Sequence, residues 1–293
     1  MNYRKQGYVF KKGFDVMGRQ LNLELERAFK TKKFATVIMI ESAIIFVYIV
    51  HKVIPAAMTG IPFLKQYIGT KTDFLPGALY YWIGLNNSME RSILFAILPI
   101  ICAIPYGTSL YTDYITTYQN HFVIRQERGD YFFSKLIVLF LNGGMIAVFP
   151  FAVSLYLNSL ILPFEETLSI QGYFSLCNEK IICSELFFKS PIIYCLIYLL
   201  FIFVGFGIIN CICYIFTYIL SGSAVILISP FIVYFTSFVL MEFFGGIPVA
   251  WQFMRFNQMK KDDLFIVTLQ LLVLAMIPLI IAMLKSRKQG DII

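Results

Sequence analysis

Charge is scarce in this sequence. Only 14% of its 293 residues are Asp, Glu, Lys or Arg, against 59% hydrophobic residues, and no charged residue occurs between Lys189 and Glu242. A soluble domain of this length could not hide so much apolar surface. The composition therefore points to an integral membrane protein with room for roughly five to seven helical spans of ~20 residues. Histidine is limited to His51 and His121. They fall on opposite predicted faces of the membrane, cannot share one metal, and leave no metal site to expect. There is no G-x-x-x-x-G-K-[ST] phosphate loop and no large hydrophilic domain, so no ATP-hydrolysing site is expected within the chain. Glu165 and Glu166 stand side by side, but no Arg or pair of His follows them at a spacing that would suit an intramembrane protease. The net charge of +7 comes with no basic run interleaved with aromatics, which excludes a nucleic-acid groove and leaves membrane topology as its explanation. Cysteine is limited to six. Cys102, Cys195, Cys211 and Cys213 fall in predicted spans and read as small apolar packers. Cys177 and Cys183 share one predicted outer loop and are candidates for a disulfide.

What is abundant is apolar sequence in long runs. Six emerge, at about Phe34–Val53, Ser92–Leu110, Leu136–Tyr156, Pro191–Phe216, Ser223–Met241 and Leu264–Leu284. The expected fold is all-α, a polytopic six-helix bundle over 34–284, with an N-terminal segment 1–33 and a tail 285–293. Ser221, Gly222 and Ser223 supply the turn that separates the fourth and fifth runs. Pro150 and Pro230 predict kinks in spans three and five. With the N-terminus inside, the inner segments carry 15 Lys and Arg and the outer loops 9. That bias places both termini in the cytoplasm of a plasma-membrane protein. The first run begins too late for a cleaved signal peptide and reads as an uncleaved span.

Residues 14–30 place Phe14, Met17, Leu21, Leu25 and Ala28 on one helical stripe, with Arg19, Glu26, Arg27 and Lys30 off it. This pattern predicts an amphipathic helix lying in the membrane interface ahead of the first span. The last outer loop is rich in aromatics, opens with Gly245 and Gly246, and contains Pro248, a composition suited to a segment that dips back toward the bilayer.

Between the second and third runs lies "YTDYITTYQNHFVIRQERGDYFFSKL". Tyr111, Ile115, Tyr118 and Phe122 recur at helical spacing, and Gly129 reads as a helix stop. Tyr131, Phe132, Phe133 and Lys135 look like an interfacial belt at the start of span three. The expectation is a short helix along the cytoplasmic surface, its apolar face toward the spans. Asn120, His121, Arg125, Glu127 and Arg128 would then be available to a soluble partner. The alternative is a solvated loop.

The stretch "AIPYGTSLYTDYITTYQNHFVIRQERGDYFFSKLIVLF" resembles the region from span two to span three of ABC-2 type transporter permeases of Gram-positive bacteria. The matching residues are Pro105, Tyr106, Asp113, Tyr114, Arg125, Tyr131 and Lys135. The elbow helix, the six spans, the short inner turn and the dipping segment fit the same pattern. The resemblance implies a transport subunit, not an enzyme, that exports a hydrophobic or amphipathic substrate such as a peptide, antibiotic or lipid. It implies a coupling helix, here Tyr118, His121, Phe122, Arg125, Glu127 and Arg128, seated in a cleft of a separate ABC ATPase subunit. ATP and Mg would be bound by that partner and no cofactor by this chain. Two ATPase subunits and a second permease, in a homodimer or heterodimer, complete the implied complex.

Within the spans three polar residues stand out. Glu41 sits about seven residues into the first span, roughly 10 Å deep, where a carboxylate is costly and a functional role is the default reading. A structural partner on another helix is the competing reading. Asn142, beside Gly143 and Gly144, and Asn210 in span four read as interhelical hydrogen-bonding residues. Two other classes of protein fit the same runs. One is a secondary transporter or channel with Glu41 as its ion site, and the other is a polytopic scaffold or sensor.

Overall fold

A computed structural model describes residues 17–58, 77–86, 88–118, 128–162, 182–243, 259 and 263–287. Every regular element among them is helical. Helix α1 spans 17–29 and ends just before Thr31. The Thr31 hydroxyl accepts from Phe34 N–H and starts α2, Lys32–Tyr48, which continues through a π-helical turn, Ile49–Val53, to Met58. Next come α3, Met89–Ala103, and α4, Ser109–Ile115, and then the long α5, Arg128–Ile161. Two short helices, α6 (Ser184–Lys189) and α8 (Ile212–Phe216), bracket α7, Pro191–Asn210. The last two helices are α9, Ser223–Phe243, and α10, Asp263–Arg287.

Five stretches are long and apolar enough to cross a membrane: Lys32–Met58, Gly129–Ile161, Pro191–Phe216, Ser223–Leu240 and Asp263–Ser286. Five of the six expected runs are thus matched. The second is not, because α3 has 15 residues, about 22 Å at 1.5 Å per residue, and the backbone then turns through Ile104–Thr108.

Helix α5 is the hub of the bundle. It packs against α2, α3, α7 and α10. Without a hydrophobic drive between helices in lipid, close approach depends on small residues, and α5 and α7 supply them. A Cβ on Gly143 would lie 2.4 Å from the Cβ of Asn210, and one on Gly207 would lie 2.7 Å from the Phe140 ring. The Asn210 amide uses that proximity to donate to the Leu139 carbonyl at 2.8 Å, as its expected role requires. Helices α9 and α10 turn most of their side chains outward.

One end of the bundle is closed by residues 77–86, which the sequence marked only as part of a loop. Trp82 is fully buried, its indole N–H donates to Phe151 O at 2.9 Å, and its ring meets Tyr198 edge-on. Tyr48 and the Asn158 amide both donate to Tyr81 O. At the opposite end α4, the turn before α9 and the last turn of α10 come together. Tyr111 Oη accepts from Gly222 N–H in the Ser221–Ser223 turn at 2.8 Å, and Lys285 sits over the Tyr218 ring at 4.7 Å.

Several sequence-level expectations need correction. Helix α4 ends at Ile115, where Thr117 is left-handed with φ 54°, and Tyr118 is again helical; the rest of the helix expected toward Phe122 lies outside the described residues. The buried side of α4 carries Leu110 and Asp113, not the Tyr111–Ile115–Tyr118 stripe, and Ile115 and Tyr118 are exposed. Gly129 does not stop a helix but lies in the first turn of α5. Tyr131, Phe132 and Lys135 are buried within the protein and do not form an exposed belt. Phe14, the dipping segment and the Cys177 end of the candidate disulfide lie outside the described residues, as do His121, Phe122, Arg125 and Glu127.

Candidate functional site

The feature that reorients all these elements is a cluster of buried charge. Helix α1 turns inward the polar ladder Gln20, Glu24 and Arg27, at spacings of four and three, alongside Ala28. The apolar residues Met17, Leu21 and Leu25 flank it, half-buried. Gln20, Glu24, Asp113 and Lys135 are at most 1% exposed. They come from α1, α4 and α5, and the turn after α3 adds Tyr106.

The geometry pairs each charge with more than one partner. Arg27 grips Asp113 with both guanidinium nitrogens, at 2.7 and 3.2 Å, and reaches Glu24 at 3.0 Å. Lys135 Nζ lies 2.7 Å from Asp113 and 2.9 Å from Glu24. The Tyr131 hydroxyl donates to Asp113 at 2.8 Å, and that of Tyr106 donates to Glu24. The Gln20 amide donates to Glu24 at 3.4 Å. Both phenol rings also face the Lys135 ammonium, at 5.1 and 5.7 Å. Two carboxylates and two cations make the cluster neutral overall. That is the condition under which a buried ionic group is tolerable.

Burial alone would raise the Asp113 carboxyl, but hydrogen bonds from Arg27 and the charge of Lys135 outweigh it and hold it below the ordinary aspartate value. Burial also works against the Arg27 charge, and Asp113 and Glu24 outweigh it there, so the guanidinium is held charged more firmly than usual. A carboxyl with a depressed folded-state value stabilises the fold above its unfolded value, and loses that contribution as pH falls through the folded one. Wild type should therefore exceed Asp113→Asn in melting temperature by a constant margin from about pH 8 to about pH 5. The margin should shrink only below ~4, where aspartate ordinarily takes its proton. A margin that fades near neutral pH would show that Asp113 is not held ionised by Arg27 and Lys135.

The cluster also fixes both ends of one segment. The chain leaves the described structure at Tyr118, whose ring lies 4.9 Å from the Arg27 guanidinium. It re-enters at Arg128, three residues before Tyr131. Tyr118 and the first turn of α5 thus both adjoin the same ionic core. Of the expected coupling residues, only Tyr118 has a described side chain. Arg128 lies in the first turn of α5.

Tyr106, Asp113, Tyr131 and Lys135, which carried the family resemblance, converge here. Gln20 and Glu24 complete the group, although nothing in their residue types singled them out. Their period was available, but it lies beside the apolar stripe that marked the helix. Glu41 and Asn142 stand apart from the cluster, higher in the bundle. Glu41 shares the buried face of α2 with Val37, Ile45 and Tyr48. Both its oxygens, and both polar atoms of Asn142, are buried without a hydrogen-bond partner among the described residues. The expected bonding role of Asn142 is therefore not seen. No family model, curated protein or solved structure matches the chain.

Proposed function

We propose that this protein is the membrane subunit of an ABC-2 type exporter, crossing the plasma membrane six times with both termini in the cytoplasm. The observation that carries the reading is the ionic cluster. It ties the elbow helix α1 to both ends of segment 119–127, so a push on that segment is delivered to α1, α4 and α5 as one body. Helix α3 supports six crossings. Its first residues, Ser88 and Arg91, lie beside the Trp82 end, and the turn that follows it reaches Glu24 and Lys135 at the other. On this reading an ATPase closes on ATP, displaces segment 119–127, and the cluster transmits the movement to α5, the hub of the bundle. The spans line a path for a hydrophobic or amphipathic substrate.

Docking should have an apolar anchor and a charged rim. Aromatic anchors commonly carry most of an interface's energy, and charges that meet a like charge after reversal weaken it further. Phe122→Ala, Arg125→Glu and Glu127→Arg should each reduce recovery of the partner ATPase in a detergent pull-down at least tenfold. Each should also abolish substrate-stimulated ATP hydrolysis, with yield and monodispersity of the membrane subunit unchanged. Three variants with wild-type recovery would make the segment a solvated loop and remove the permease reading. The unpartnered carboxyl of Glu41 favours a second reading, gradient-driven transport. Transport that needs ATP and ignores the proton gradient eliminates it.

A further inference from the structure

The position of Glu41 deserves a chemical explanation that the transport reading alone does not supply. The spans contain one ionisable acid or base at hydrocarbon depth. Between Phe34 and His51 the only charged residue is Glu41, and none occurs in Ser92–Leu110, Leu136–Tyr156, Pro191–Met241 or Leu264–Leu284. The carboxyl is fully buried, and neither oxygen has a partner among the described residues. It faces the protein interior, on the buried stripe of α2 with Val37, Ile45 and Tyr48, and not the lipid. Lys135, the cation nearest along α5, is already committed to Glu24 and Asp113.

A second polar group is orphaned on the neighbouring helix. Asn142 is fully buried, and neither its amide N–H nor its carbonyl has a partner among the described residues. It lies about two turns beyond Lys135, and Glu41 lies about three turns beyond the Thr31 cap. Buried polar groups are nearly always satisfied, and an unsatisfied one in a sound fold marks a missing partner. A carboxyl in hydrocarbon is tolerable either with a proton on it or beside a positive charge, and no residue of the spans provides that charge.

We infer that Glu41 is the binding residue for the positive charge of a cationic amphiphile, with Asn142 as a further polar contact. This rests on the export reading, and it narrows the substrate class from hydrophobic molecules in general to those with a single cationic head. The apolar remainder of the ligand meets the apolar bundle, and the head replaces the counter-ion the chain lacks.

The test uses the full chain in lipid nanodiscs, without the ATPase, and tetraphenylphosphonium as the probe. Its outcome is therefore independent of whether an ATPase docks. Wild type should bind the probe saturably. Glu41→Gln, which keeps the shape and removes the charge, should weaken binding at least tenfold, and Glu41→Asp should retain most of it. A measurement on wild type alone stands behind these variants. The hydrophobic carbodiimide dicyclohexylcarbodiimide should modify Glu41, read by mass spectrometry of the peptide, and tetraphenylphosphonium should protect it. Equal binding by wild type and Glu41→Gln overturns the proposal. So does carbodiimide labelling that the probe leaves unchanged, the result expected if Glu41 takes only a proton.

Discussion

Lys135→Met is expected to be the most damaging single substitution in this protein short of a truncation. It keeps the length and apolar stem of the side chain and removes one buried charge. Glu24 and Asp113 would then face each other across a single Arg27, which is itself partly exposed. Removing one member of a buried ionic group costs about 3–5 kcal/mol, because the others stay buried without compensation. Loss of folded yield and a clear fall in melting temperature should follow, measured on a fluorescent fusion in detergent. The double variant Lys135→Met, Glu24→Gln removes one charge of each sign. It leaves Arg27 paired with Asp113 and should recover most of the loss. If the single variant melts within error of wild type, the cluster is not the joint between α1, α4 and α5. If the double variant is no better than the single, the damage comes from packing and not from charge balance.

The second large effect belongs to the hub. Gly143→Ala would place a methyl group 2.4 Å from the Asn210 Cβ, where no real pair of such atoms sits. Neither atom is the end of a flexible chain, so the helices themselves must part. Overpacking of this kind costs about 1–3 kcal/mol or more, and here it also threatens the Asn210–Leu139 hydrogen bond that crosses the same interface. A substantial drop in melting temperature is expected. Exchanging the glycine across the contact, Gly143→Ala with Asn210→Gly, removes the clash and should return part of the stability while the hydrogen bond stays lost. Gly18→Ala, on an exposed face of α1 with open space around it, should be neutral or slightly stabilising, since alanine favours the helix. A Gly143→Ala protein as stable as Gly18→Ala would mean that α5 and α7 do not approach as closely as described.

These two regions also show what could be read in advance. Composition and apolar runs determined that the chain is helical, with stretches long and apolar enough to cross a membrane. Those are statements about transfer from water, and residues contribute to them almost independently. Five of the six runs emerged as long helices for that reason. Pro191 at the first position of α7 and Gly222 in the turn before α9, with φ 122°, were equally local and equally legible. Glu41 stood out because one carboxyl in an apolar run violates the same transfer rule.

Which way each amphipathic piece turns was decided only in three dimensions. In α1 the structure buries Gln20 and Glu24 together with Ala28 of the apolar stripe, and in α4 it buries Leu110 and Asp113 and leaves Ile115 of the stripe exposed. A buried carboxylate is unfavourable until two cations and two phenols arrive from 86, 111 or 18 residues away, as the pairs Arg27–Asp113, Lys135–Glu24 and Tyr131–Asp113 do. No local pattern encodes that compensation. The role of residues 77–86 was hidden for the same reason. Trp82 reads as one aromatic in a loop until its indole finds the Phe151 carbonyl between helices that the sequence keeps far apart. Sequence periodicity reports what each residue prefers as a solvent. Pairwise electrostatics and hydrogen bonding depend on which residues meet, and only the tertiary structure decides that.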